Sequence, residues 1–237
     1  MPTMLTKEDE QWLGKTYPGL AGNAKSVAGT IEFNATYNGH DNRFLVLADG
    51  VADTVGGLAL SGRFKILIEE RRDKQTSALP AVYVEDVEAI ADRHINRIDK
   101  SACLCSPLEE NEFLVPEFQF KLFLEKLVIP FLYGQLFYSL KKCWPWSEYA
   151  HGVTGILEAY FVVADPAKTR ECLRRLVQDK ATWPRVRAAL QQKPYIKGHT
   201  PCFCPKMDKI KRCHPTAWRG ALQLQQNIRT LVIPIPI

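Results

Sequence analysis

The sequence predicts an α+β protein: an antiparallel β-meander with flanking helices, followed by a small basic helical module. Three observations predict it. Period-two alternation is concentrated between residues 29 and 86, helical periodicity takes over from residue 117, and Lys and Arg dominate after residue 163.

The elements follow in order. LTKEDEQWLG places Thr6 three residues before Asp9, a helix start with a capping acid. GTIEFNATYNG, NRFLVLADG, GRFKILIEE and PAVYVED are alternating or apolar runs bounded by Gly, Asn, Asp and Pro80, which reads as four antiparallel strands. After a cysteine-bearing loop, EFQFKLFLEKLVIPFLYGQLFYSLKKCW predicts a long helix kinked or broken at Pro130, and SEYAHGVTGILEAYFVV a second. ECLRRLVQDK and WPRVRAALQQK predict two shorter basic helices, residues 218–229 a last one, and LVIPIPI a β-like end. The expected division is a domain at residues 1–163 and a tail at 164–237.

Composition sets the class. Hydrophobic residues at 46 % with charged residues at 24 % are ordinary for a globular chain of 237 residues, so a sizeable core can be buried. The start lacks the basic-then-apolar run of a secretory signal, and no apolar stretch approaches membrane-span length; the expectation is a cytoplasmic protein without a membrane partner. Seven cysteines are an odd count, and five lie in two tight clusters, which favours metal or thiol chemistry over a disulfide framework. Residues 164–237 hold 15 basic residues against four acids, a net of +11 in a chain of net +5, leaving −6 for residues 1–163. The tail is therefore expected to face an acidic protein or to be simply solvated.

The first cluster lies in HINRIDKSACLC, residues 94–105. A thiol nucleophile needs a site that favours the thiolate, and acyl transfer also needs a donor aimed at the developing oxyanion. Cys103 supplies the thiol, Asn96 an amide donor, and Arg97 and Lys100 positive charge. The same residue types also suit a structural role, with Cys103 and Cys105 as small core residues flanking Leu104 and His94 capping a strand.

The meander, the Pro80 approach, His94-x-Asn96, a polar turn and Cys103-Leu104 together resemble the core of ubiquitin-conjugating enzymes, whose pattern is His-Pro-Asn followed by an acceptor cysteine in an Ile-Cys-Leu context. His94 and Asn96 match that pattern, Ile95 replaces the proline, and Cys103 matches the acceptor after a slightly shorter turn. Cys105 falls where the family often has an acidic residue or glycine. The Ile95 departure sets the chain apart from eukaryotic members and is compatible with divergent bacterial relatives from anti-phage and ubiquitin-like operons, and WPWSEYAHGVTGILEAY resembles their His-Gly-containing helical end, which brings in His151. The resemblance covers residues 1–163. It implies a thioester on Cys103, with Asn96 stabilising the oxyanion and His94 beside it. It also implies an activating enzyme as partner, and as cargo a ubiquitin-like modifier or another protein with an accessible C-terminal glycine. Cys105 stands as a second acceptor, a resolving thiol or a bystander.

Other chemistries fit less well. A zinc deaminase needs His-x-Glu and Pro-Cys-x-x-Cys; this loop has neither. A Walker loop would need glycine where Asp9 stands before GKT at residues 14–16, and no dinucleotide fingerprint is present, so ATP-driven activation falls to another protein. A cysteine hydrolase pairing Cys103 with His94 or His151 remains an alternative, as does a non-catalytic adaptor.

The second cluster, CFCPKMDKIKRCH, gives Cys202-x-Cys204, eight residues, then Cys213-His214. Three thiolates and one imidazole complete a tetrahedral set for structural Zn2+, with no position left open for catalysis. The spacing resembles the SEC-C motif, whose usual Gly-Ser-Gly knuckle and basic residues read here as PKMDKIKR. Nucleic acid is disfavoured as partner of this segment: its aromatics are few (Trp183, Tyr195, Phe203, Trp218), and it has no recognition-helix motif.

Overall fold

The computed structural model describes residues 4–47, 53–71, 77–96, 98–114 and 116–237. The chain forms two compact units, one of Met1–Cys105 with Glu110–Ser147, the other of Ser106–Glu109 with Glu148–Ile237.

In the first unit, α1 (Lys7–Thr16) begins at a reciprocal cap. The Asp9 N–H donates to Thr6 Oγ1 at 3.1 Å, and the Thr6 N–H donates to Asp9 Oδ2 at 2.9 Å, so two otherwise unpaired amides are satisfied. Five strands follow: β1 (Leu20–Gly22), β2 (Ser26–Asn38), β3 (Arg43–Leu47), β4 (Leu58–Glu69) and β5 (Ala81–Val84). All paired neighbours are antiparallel, in the order β1-β2-β4-β5, with β3 pairing β2 off that path.

This differs from the expected meander at one strand. In the expected meander the run at residues 42–50 is the second member, but β4 pairs β2 directly from Ser26↔Glu69 to Tyr37↔Leu58. A strand has two hydrogen-bonding edges. One edge of β2 is therefore taken by β4, and β1 (Leu20↔Gly29) and β3 (Asn34↔Leu47) share the other. Residues 48–50 of the expected strand lie outside the described residues.

One face of the sheet is apolar by alternation: Val27, Ile31, Phe33, Ala35 and Tyr37 of β2 are buried, with Ile66 and Ile68 of β4 and Val82 of β5. They share a core with a helical run. After α2 (Asn111–Leu114) come α3 (Phe120–Phe123), a π turn (Leu124–Val128) and α4 (Ile129–Lys141), of which Phe120, Phe123, Leu124, Val128, Ile129, Leu132 and Tyr133 are fully enclosed. Of the kink or break expected at Pro130, the break does not occur: the chain stays helical through it. The π turn shifts the bonding ladder by one residue, and Pro130 sits in the opening turn of α4, where a missing N–H is tolerated.

The second unit contains α5 (Gly152–Val163), α6 (Thr169–Gln178), α7 (Trp183–Leu190), α8 (Ile210–Cys213) and α9 (Pro215–Thr230). The division expected after residue 163 falls instead at Ser147/Glu148. The reason is packing. Val153, Leu157 and Tyr160 of α5 share a core with Ala217, Ala221 and Leu224 of α9, and a Cβ on Gly220 would stand 1.9 Å from the Leu157 carbonyl oxygen, so the helices meet backbone to backbone. Leu108 joins this core, and Glu109 accepts from the Tyr149 hydroxyl at 2.9 Å, which ties the 106–109 segment to the same unit. Residues 231–237, expected to be β-like, form no strand; Pro234 and Pro236 have no N–H to give a ladder. Among the described residues, no helix is long and apolar enough to cross a membrane.

Candidate active site and metal centre

Residues 94–96 pair with residues 101–103 as a two-stranded ribbon. Ile95 bridges Ala102 antiparallel, the Asn96 N–H donates to the Ser101 carbonyl at 2.9 Å, and the Cys103 N–H donates to the His94 carbonyl at 2.7 Å. Alternation then sorts the side chains. Ile95 (4 % exposed) and Ala102 (3 %) enter the core, so Asn96, Ser101 and Cys103 belong to the opposite face, while His94, whose backbone is left-handed, is placed by its pairing with Cys103. This is a physical account of Ile95: the position is a core anchor. The ribbon is tied to the sheet by the Ala102 N–H, which donates to the Val82 carbonyl at 2.7 Å.

Its stem is held from the helices. The Gln135 amide donates to the Arg93 carbonyl at 2.7 Å, the Trp144 indole N–H donates to the Asp92 carbonyl at 2.8 Å, and the Trp144 ring meets the His94 ring edge-on at 4.7 Å. Gly134 makes room for that indole, since a Cβ there would lie 2.0 Å from a Trp144 ring carbon. His94 has a φ of 51°, a left-handed conformation that costs a non-glycine residue and needs such support.

Ser101 is fully buried and organises the polar face. Its hydroxyl donates to Asp99 Oδ1 at 2.9 Å and accepts from Asn96 Nδ2 at 3.0 Å and from Arg71 Nη1 at 3.2 Å. Arg71 Nη1 also pairs with Asp99 Oδ2 at 3.0 Å. One N–H of the Asn96 amide is thus engaged by Ser101.

Cys103 is an exposed residue and a free thiol, and Cys105 is half-buried against the first core. Burial of the Cys103 sulfur nevertheless pushes its pKa above the ordinary thiol value, Arg71 pulls it down, and the Glu110 carboxylate adds to the rise. Among the described residues Arg71, rather than Lys100, is the cation acting on the sulfur; the expected effect of Arg97 lies outside the described residues. Arg71 and Glu110, 32 and seven positions from Cys103, carry no local signal in the sequence. Glu110 is 4 % exposed and accepts the Ala78 N–H at 2.9 Å.

His151 belongs to the second unit, where it is the N-cap residue of α5 and its carbonyl accepts the Thr154 hydroxyl at 2.9 Å.

Cys202, Cys204, Cys213 and His214 converge, all four ligand atoms lying within 4.8 Å of one another. The knuckle is made by a Pro201–Lys209 bridge, a Cys202 N–H donating to the Asp208 carbonyl at 2.7 Å, and a turn in which Met207 adopts a φ of 53°. Met207 thus takes a conformation usually filled by glycine. Cys213 ends α8 and His214 precedes Pro215 of α9, so a helix junction delivers the second pair. Cys202 Sγ lies 3.3 Å from His214 Nδ1, and Cys204 Sγ 3.5 Å from Cys213 Sγ. A tetrahedral zinc with bonds of about 2.3 Å to sulfur and about 2.0 Å to nitrogen spaces its ligands by about 3.5 to 3.8 Å. The four residues fit such an ion, as structural ligands with no site left for a substrate. Arg185 of α7 holds the knuckle from behind, donating to the Cys202 carbonyl at 3.3 Å and the Phe203 carbonyl at 3.1 Å.

Comparison of the chain with protein-family models, with curated proteins and with solved structures finds no match in any of the three.

Proposed function

We propose that the first unit is a ubiquitin-conjugating-like acyl carrier and the second a zinc-stabilised basic module that docks an acidic protein partner. The ribbon carries this reading. It sets the accessible Cys103 opposite His94, on the face that also bears Asn96. In loading, the Cys103 thiolate attacks the carbonyl carbon of a partner's thioester, an S–C bond forms, and the partner's sulfur leaves as thiolate. The cargo is the C-terminus of a ubiquitin-like modifier, or of another protein ending in an accessible glycine, and bacterial anti-phage defence is the proposed setting.

Incubation with an activating enzyme, ATP and modifier tests the reading. A reductant-labile adduct on Cys103, detected by intact mass and peptide mapping, is expected; its absence with a demonstrably charged activating enzyme rejects acyl carriage. A second reading, a non-catalytic adaptor, is favoured by the raised pKa of Cys103 and by the engagement of the Asn96 amide with Ser101. It predicts unchanged partner binding by Cys103→Ala and no adduct in the native chain.

A further inference from the structure

Arg71, just beyond the end of β4, is almost enclosed, its side chain 11 % exposed. Its Nη1 is anchored twice on the ribbon, to Asp99 Oδ2 at 3.0 Å and Ser101 Oγ at 3.2 Å. Its Nε is buried and has no hydrogen-bond partner among the described residues. A buried guanidinium N–H without an acceptor is costly, and a fold that retains one keeps a donor for something that arrives or for charge that develops. Ser101 is two positions from Cys103, on the same face of the ribbon. On the other side of the charge balance is Glu110, buried and accepting the Ala78 N–H.

We propose that Arg71, held by Asp99 and Ser101 and opposed by Glu110, is the residue that bears the negative charge of the Cys103 sulfur. The role rests on the acyl-carrier reading for its use in catalysis, but not for its existence. In discharge, the nitrogen of an acceptor amine forms a C–N bond to the acyl carbon, and the C–S bond breaks with its electron pair on sulfur. The departing thiolate is stabilised by Arg71, and the ammonium proton passes to water. In loading, the same cation favours the attacking thiolate. The charge effects found at Cys103 agree in sign, Arg71 lowering its pKa and Glu110 raising it against the background of burial. His94 and Lys100 are the other ionisable residues described on the ribbon, along with Asp99 itself.

Site-resolved alkylation tests this without any activating enzyme. The full chain is treated with iodoacetamide across a neutral-to-alkaline pH series, and Cys103 labelling is followed by peptide mass spectrometry, with exposed Cys143 as internal control. Arg71→Gln should move the Cys103 profile to higher pH and slow its labelling near neutrality several-fold, because the thiolate loses a cation that favours it. Arg71→Lys should recover most of the rate, because it restores the charge. Glu110→Gln should move the profile the other way, to lower pH; loosening of the fold would relieve the burial of the sulfur and lower it too, so the upward shift in Arg71→Gln is the result that loosening does not produce. If Arg71→Gln fails to fold by circular dichroism, the Lys and Glu110 variants decide. Native-like profiles in the Arg71 and Glu110 variants, or shifts of one sign in both, overturn the proposal. Failure of thioester loading with these alkylation shifts intact would reject the acyl-carrier reading alone.

Discussion

Two sulfurs separated only by Leu104 stand in different surroundings, and their substitution should separate them. Cys103 is the exposed one, and Cys105 packs against the core. Since an ester can form on oxygen where a thioester forms on sulfur, Cys103→Ser should convert the reductant-labile adduct into a stable one, while Cys105→Ser should leave the labile adduct in place. Loss of the adduct in Cys105→Ser alone would transfer the acceptor role to that residue. Asn96 is tested by the step it affects. A donor to a developing oxyanion should, when removed as Asn96→Ala, slow discharge of a preformed thioester to an amine by roughly a hundredfold or more with little loss of loading. Equal loss in both steps would mark it as the Ser101-bonded strut of the ribbon. At this scale the sequence showed the His94-x-Asn96 spacing and the thiol, because these sit on one short ribbon. It did not show Arg71, whose contact with Asp99 and Ser101 spans 28 and 30 positions and depends on the register of β4.

Among the elements, those with local causes were legible. The Thr6–Asp9 cap is made by neighbours in sequence, and the four metal ligands lie within 13 residues, so their spacing alone brings them together. Two features were not. β1, pairing Leu20–Gly22 with Val27–Gly29, is three residues long and too short to show alternation, and β3 lies on the edge of β2 that β4 leaves open because β4, about twenty positions further on, takes the other. The knuckle supports a direct prediction. One zinc per chain should appear by native mass spectrometry, and Cys213→Ala should abolish it, because a tetrahedral site that loses a thiolate loses much of its affinity. Structural zinc in small modules contributes on the order of 10 kcal/mol, so the 200–214 segment should lose protection from proteolysis in that variant and in chelator-treated protein. Stoichiometric zinc in Cys213→Ala would reject this ligand set.

For the whole molecule, the boundary at Ser147/Glu148 changes where the chain should be cut. A fragment of residues 164–237 leaves α9 without α5, exposing Ala217, Ala221 and Leu224, whereas one of residues 148–237 retains that pair. The longer fragment should be helical, zinc-binding and cooperative in a thermal melt, and the shorter one should not; equal folding would restore the division at residue 163. Charge asymmetry was readable from composition, but the boundary was not, because it depends on α5 packing against a helix more than 50 positions away. The detour of β3 also bears on the time course of folding. Pairing Asn38 with Arg43 closes a loop of four residues, and pairing Tyr37 with Leu58 closes one of twenty. Loop closure favours the shorter by about 1.4 kcal/mol. The outer hairpin is thus the cheaper first contact, a ready edge of β2 against which β4 is recruited later, so the strand that lies off the main path of the finished sheet is well placed to be its nucleus.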